Sequence, residues 1–271
     1  MSRARAEKSR QTGEKAGDRW PWLAESFAAV GALAILAAGG ARRTWRRPFE
    51  GAALVQQIEA LGVRSLGVAL LTAVFSCLVA TLQSTVQMAR FGAQDYVGTV
   101  VSLSQVRELG PVLTALMVGG RIGAGITAEL GAMSVTEQID AIRSMGADPT
   151  RKLVVPRVLA AMISLPLLTC AANLVGITAA MLIARLEAGV GMARFYAATT
   201  TAVTPTDLLG GLGKTVFFGF AISLIACHFG LRASGGTAGV GRATTTTVVV
   251  TSVVTLITDF AFTKIFLVLG L

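Results

Sequence analysis

Charged side chains are scarce in this sequence, and acidic ones scarcest. Fifteen Asp and Glu stand against 24 Lys and Arg in 271 residues, and the four types together make 14%. With 53% hydrophobic residues and a mean hydropathy of +0.67, the chain has too little polar surface to clothe a soluble globule of its size, so lipid is the expected solvent. Histidine occurs once, at His228, where it ends an apolar run and reads as a packed or interfacial ring rather than a ligand. The three cysteines, Cys77, Cys170 and Cys227, fall in different apolar runs without metal-ligand spacing. That argues against a disulfide frame or a metal site and leaves them as small apolar fillers. H-E-x-x-H and G-x-S-x-G are missing too, so a membrane hydrolase would lack its usual parts. Gly213-Lys214-Thr215 imitates the end of a phosphate-binding loop, but Leu208 stands where the leading glycine is required and no strand leads into it. Without a Walker motif, any nucleotide hydrolysis belongs to another subunit.

In a soluble protein a sequence pI near 10.3 would point to nucleic acid. Here eleven of the basic residues lie in the first 65 positions and the rest sit mostly between apolar runs, as orientation charges do, and nucleic acid is not an expected partner. Residues 1–19 hold almost nothing apolar to bury and read as a disordered, basic, cytoplasmic tail. The apolar stretch 23–38 has no convincing cleavage site and runs into Arg42, Arg43, Arg46 and Arg47, which argues against a signal peptide. As helix it covers about 24 Å, short of the roughly 30 Å hydrocarbon core. With Trp20 and Trp22 at one end, it is expected to lie in the membrane surface rather than to span it.

Residues 49–61 carry Leu54, Ile58 and Leu61 at helical spacing with Gln56, Gln57 and Glu59 between them, an amphipathic lead-in on the cytoplasmic side. Five spans follow, at about 66–88, 109–128, 158–184, 208–229 and 247–269, and the expected fold is an all-α integral membrane protein. With a cytoplasmic N-terminus, seventeen Lys and Arg fall inside and four outside, while Arg121, Lys214 and Lys264 lie within spans. A sixth span at 23–38 would move the basic N-terminal cluster outside, against the positive-inside rule.

Two segments carry further information. Between the second and third spans, Ser134 and Glu137 have capping-box spacing and Val135, Ile139 and Ile142 form an apolar stripe. Gly146 supplies a stop, and Asp148 with Pro149 starts a new helix. A short helix held outside the membrane suits docking of a soluble partner, although packing on its own protein would produce the same pattern. In the second span, Gly119 and Gly123, like Gly120 and Ala124, are four apart and allow close helix approach. Arg121 and Glu129, two turns apart, are expected to pair with each other, and Glu108, at the outer mouth of the span, is a candidate for a cavity role.

The runs RELGPVLTAL (107–116), GRIGAGITAELG (120–131), TEQIDAI (136–142), PRVLA (156–160), SLPLL (164–168) and GRATTTTVV (241–249), with Asp259-Phe260, resemble the MlaE/YrbE permease family over about 50–271. The resemblance implies a single permease domain over 20–271, homodimeric, with an interfacial elbow helix and five spans per subunit, in the bacterial inner membrane. It implies two P-loop ATPase subunits inside, which bind the ATP and Mg, a ring of MCE-domain proteins outside, and a STAS-domain accessory protein as an optional partner. Residues 135–145 would be the coupling helix, with Glu137, Asp140 and Arg143 as its polar contacts. Ala80, Gln87, Met88, Phe91, Glu108 and Leu109 would line the lipid cavity. Ala80 and Gln87 replace the larger aliphatic side chains of the family pattern, which leaves sterol or another apolar lipid as an alternative cargo to phospholipid. Two readings from other classes stay open: an ion-coupled transporter using Glu108, Arg121, Asp259 and Lys264, and a membrane scaffold without transport.

Overall fold

A computed structural model describes residues 51–269, and among them every regular element is helical. The expected basic tail and the interfacial helix at 23–38 lie outside the described residues. Helix α1 (Gly51–Leu61) is the amphipathic lead-in, burying Leu61 and packing Leu54 and Ile58 on the core while Gln56 and Glu59 stay exposed. Five long helices follow the five apolar runs: α2 (Leu66–Ala89), α4 (Gly110–Val135), α6 (Val155–Ala188), α8 (Pro205–Leu231) and α9 (Gly236–Leu269). Each belongs to a helical segment long and apolar enough to cross a membrane. They overrun the apolar windows, α9 starting at Gly236 rather than near 247, because hydropathy marks the hydrocarbon boundary and not the end of hydrogen bonding. The hydroxyls of Thr245, Thr246 and Thr247 bond carbonyls four residues back, so this polar turn continues the helix.

Three short helices join the spans. Helix α3 (Val97–Ser104) leads through a π-turn (Gln105–Leu109) into α4, and α7 (Met192–Ala202) lies between α6 and α8. Helix α5 (Gln138–Ser144) hangs between α4 and α6 at the opposite end of the bundle. Its C-terminus follows the sequence. Gly146 takes φ +76°, its N–H donates to Arg143 and that of Ala147 to Ile142, a Schellman stop. Its N-terminus does not. Helix α4 continues through Ser134, whose hydroxyl donates to the Leu231 carbonyl, and Glu137 caps α5 from a left-handed conformation, φ +58°, without a side-chain bond. The capping box forms instead at Thr204 and Asp207, at the start of α8.

Helix α4 sits between α8 and α9, α8 packs also on α6, and α6 on α2. The core runs through Ile122, Ile126, Leu130, Leu165, Phe218 and Ile222. The small-residue pair serves two neighbours: a Cβ on Gly119 would stand 2.5 Å from Ile222 Cδ1 of α8, and one on Gly123 3.3 Å from Thr247 Cγ2 of α9. Outward, the molecule is apolar. Phe75 and Val79 of α2 and Ile257 and Phe260 of α9 are each at least 60% exposed, as expected of spans that meet lipid or a second protein surface. This is the arrangement of a multi-pass membrane protein.

Candidate functional site

The π-turn turns Glu108 toward α8 and α9, where Lys214 comes from the third turn of α8 with its side chain 1% exposed. Lys214 Nζ lies 2.8 Å from Glu108 Oε2, 2.8 Å from Thr263 Oγ1, 3.2 Å from Asp259 Oδ1 and 3.3 Å from the Arg107 carbonyl. The Thr263 hydroxyl also reaches Glu108 Oε1 at 3.0 Å, and the Phe266 ring lies 5.9 Å from the ammonium. An ammonium withdrawn from water this far needs such a cage, since its desolvation is repaid only by charged and hydrogen-bonded partners. The neighbouring Arg107 bonds Asp207, itself 6% exposed and fixed by the capping box in which Thr204 N–H donates to Asp207 Oδ2 at 2.9 Å. Two cations thus face three carboxylates, an excess of one negative charge. Arg107, Glu108, Asp207 and Lys214 line a cavity of about 370 Å³ whose other wall is Leu209, Phe266 and Leu267. A polar floor beside an apolar wall is the chemistry that receives an amphiphile.

The opposite end is built differently. Glu129 pairs with Arg157 of α6 at 2.6 Å, not with Arg121, and Arg121 donates to the carbonyl of Arg64. Two turns along a helix separate the Arg121 and Glu129 backbones by about 12 Å, and partners on neighbouring elements are nearer. Arg157 is 4% exposed and also donates to Leu153 O at 2.6 Å, so the pair ties the ends of α4 and α6 from which α5 is suspended. On α5, Ile139 turns inward while Glu137, Asp140 and Arg143 are exposed, the last two bonded to each other at 2.9 Å. Met145, 74% exposed, adds an apolar knob at the same tip.

The profile of a family described as Permease MlaE matches residues 54–265, which spans all five long helices. The chain belongs to the MlaE permease family. It is 39% identical over 237 residues to a probable ABC transporter permease protein of Rickettsia conorii, covering 88% of this chain and 92% of that one. It is 39% identical over 213 residues to the intermembrane phospholipid transport system permease protein MlaE of Haemophilus influenzae, covering 78% and 82%. It is also 38% identical over 212 residues, 78% of this chain and 61% of the other, to the chloroplastic protein trigalactosyldiacylglycerol 1 of Arabidopsis thaliana.

Within this MlaE-family chain, the six residues expected to meet lipid are spread over α2, the turn that follows it, which carries Phe91, and the π-turn. Glu108 lines the charged cavity. Gln87 lines a shallow groove of about 600 Å³ on α2 with Val79, Gln83 and Arg90. Met88 packs on the cluster around Cys77 and Phe195, Ala80 and Leu109 are half-buried, and Phe91 stands 82% exposed. Sequence reasoning set Lys214 aside with the false phosphate loop and did not bring it to Glu108, nor did it use Thr263 or the Arg107–Asp207 pair. The available signal was the cost of charge in a span: a lysine, a glutamate and an aspartate in three MlaE apolar runs require one another.

Proposed function

We propose that this chain is the membrane-spanning subunit of an ABC transporter that moves phospholipid between the bacterial cytoplasmic membrane and an MCE-domain protein on its outer side. The observation that carries the reading is the family match across all five spans, which includes a relative named for intermembrane phospholipid transport. The subunit works as a homodimer with its N-terminus in the cytoplasm. Helix α5 docks in a P-loop ATPase that binds the ATP and Mg, and a STAS-domain protein is an optional companion. Lipid meets the subunit along Ala80, Gln87, Met88, Phe91 and Leu109, with Glu108 and its charged neighbours near the headgroup. That division follows the amphiphile's own: α2 offers an apolar outer face, and the cavity at Glu108 a polar floor. ATP-driven closure of the ATPases presses the two α5 helices together, and the Glu129–Arg157 pair passes that motion into α4 and α6.

The first test is purification in mild detergent from the native host, with proteins and lipids identified by mass spectrometry. A P-loop ATPase, an MCE-domain protein and retained phospholipid are expected, and retained sterol or another apolar lipid in its place would change the cargo. The chain alone and lipid-free would overturn the reading. A second reading, ion-coupled transport, is favoured by one observation, the Glu108–Lys214–Asp259 cluster inside the spans. Lipid transfer in proteoliposomes separates the two: dependence on ATP supports the first, and dependence on an ion gradient without ATP the second.

A further inference from the structure

Helices α6, α7 and α8 enclose another cavity, of about 390 Å³, which shares no lining residue with the charged one. Along α6 its wall runs through Cys170, Leu174, Ile177 and Met181, at i, i+4, i+7 and i+11, so the groove follows one helical face for about 16 Å. Cys170 lies near the middle of α6 and Met181 toward the end that meets α7. The groove therefore spans about the depth of one leaflet, half of a hydrocarbon core near 30 Å thick. Its side opens outward past Leu174, 68% exposed, and Phe195, 1% exposed, belongs to its lining on α7. At the α7 end stand the hydroxyl-bearing Tyr196 and Thr199, Tyr being a residue that favours the boundary between hydrocarbon and headgroups.

We propose that this groove seats one acyl chain of a glycerophospholipid from the leaflet adjoining α7, with the ester region held beside Tyr196 and Thr199. Length, polarity and surroundings argue together. The wall is mostly apolar for the depth of a leaflet, with Asn173 bonded to Gln105 and Thr178 to the Leu174 carbonyl; Tyr196 and Thr199, the latter bonded to Ser102, stand at the α7 end, and the molecule that fills the space beside a span is lipid. The inference rests on the membrane embedding of the chain and not on what it transports. It also places a lipid one residue from the charged cavity on α8, since Leu208 lines this groove and Leu209 the other. The seated chain would then hold α7 against the turn that carries Asp207.

The test uses the full chain in nanodiscs containing phosphatidylglycerol with a diazirine at mid-chain, with adducts mapped by peptide mass spectrometry after illumination. Adducts concentrated in the peptides bearing Leu174–Met181 and Tyr196–Val203, about tenfold above those on the exposed faces of α2 and α9, are expected. Ile177→Trp, which fills the groove, should abolish this enrichment and remove the lipid retained there through detergent purification. Labelling spread evenly over all lipid-facing helices of the unmodified chain would overturn the proposal. So would adducts that fall on a co-purified protein's transmembrane helix at those positions, and because both are read on the unmodified chain, misfolding of the variant cannot decide the outcome.

Discussion

Lys214 Nζ lies 2.8 Å from Glu108 Oε2, and Asp259 Oδ1 completes the contact from a third helix at 3.2 Å. Each charge is tolerable in the bundle because the others are there. Lys214→Met should therefore destabilise the chain by about 3 kcal/mol, since it leaves two carboxylates facing each other, while Lys214→Met with Glu108→Gln and Asp259→Asn should recover most of that loss. Thermal unfolding in detergent measures both. An unchanged midpoint for Lys214→Met would show that the ammonium is not the bond between these helices.

The ion pair at the other end makes an asymmetric prediction. Arg157 is 5% exposed in its side chain and Glu129 54%. Glu129→Gln takes the counter-charge from a buried guanidinium and leaves it the Leu153 carbonyl and an amide oxygen, whereas Arg157→Met leaves a carboxylate that water can reach. The first substitution should cost more, by about 2 kcal/mol. Equal costs would show that water reaches the two charges alike.

Glycine substitutions separate backbone contacts from yielding ones. A Cβ on Gly219 would stand 2.6 Å from the Ala161 carbonyl oxygen, and one on Gly119 2.5 Å from the terminal methyl of Ile222. Gly219→Ala should cost about 1–3 kcal/mol because backbone must move, Gly119→Ala less because a side chain can turn. Gly125 meets nothing within 4 Å, so Gly125→Ala should be neutral or slightly stabilising. Midpoints in that order are the check.

Helix α5 can be altered without touching the spans. Glu137→Lys with Asp140→Lys should weaken ATPase association about tenfold or more and leave the unfolding midpoint unchanged. Glu137→Gly should relieve about 1 kcal/mol of left-handed backbone cost at φ +58° while also weakening the partner. Undiminished co-purification of the ATPase in both variants would remove α5 from the interface.

The spans were legible because a run of some twenty apolar residues has few other ways to exist. The Gly119 and Gly123 contacts were legible in kind but not in partner, since spacing along one helix says nothing about which neighbour lies opposite. The same blindness explains Arg121 and Glu129, paired on paper by a two-turn spacing and in space with Arg64 and Arg157. Ser134 and Glu137 had the right spacing for a cap, but α4 runs on past Ser134, and the working capping box used Thr204 and Asp207, a pattern equally visible in the sequence. Lys214 was hidden by its motif: comparison with a phosphate loop answered the wrong question about a lysine whose real constraint was the absence of water.

Helix α9 meets α4 along Thr247, Thr251 and Thr255, all at most 2% exposed. Thr247 reaches across to the Thr127 hydroxyl at 2.9 Å, and sixteen residues on, about 24 Å along the axis, Thr263 reaches Glu108. Between those points the Thr251 hydroxyl bonds its own helix. Toward α4 the Thr251 methyl faces Gly123, while further along Asp259 reaches Lys214 of α8. Hydroxyl contacts at two heights therefore fix the rotation of α9 about its own axis twice over.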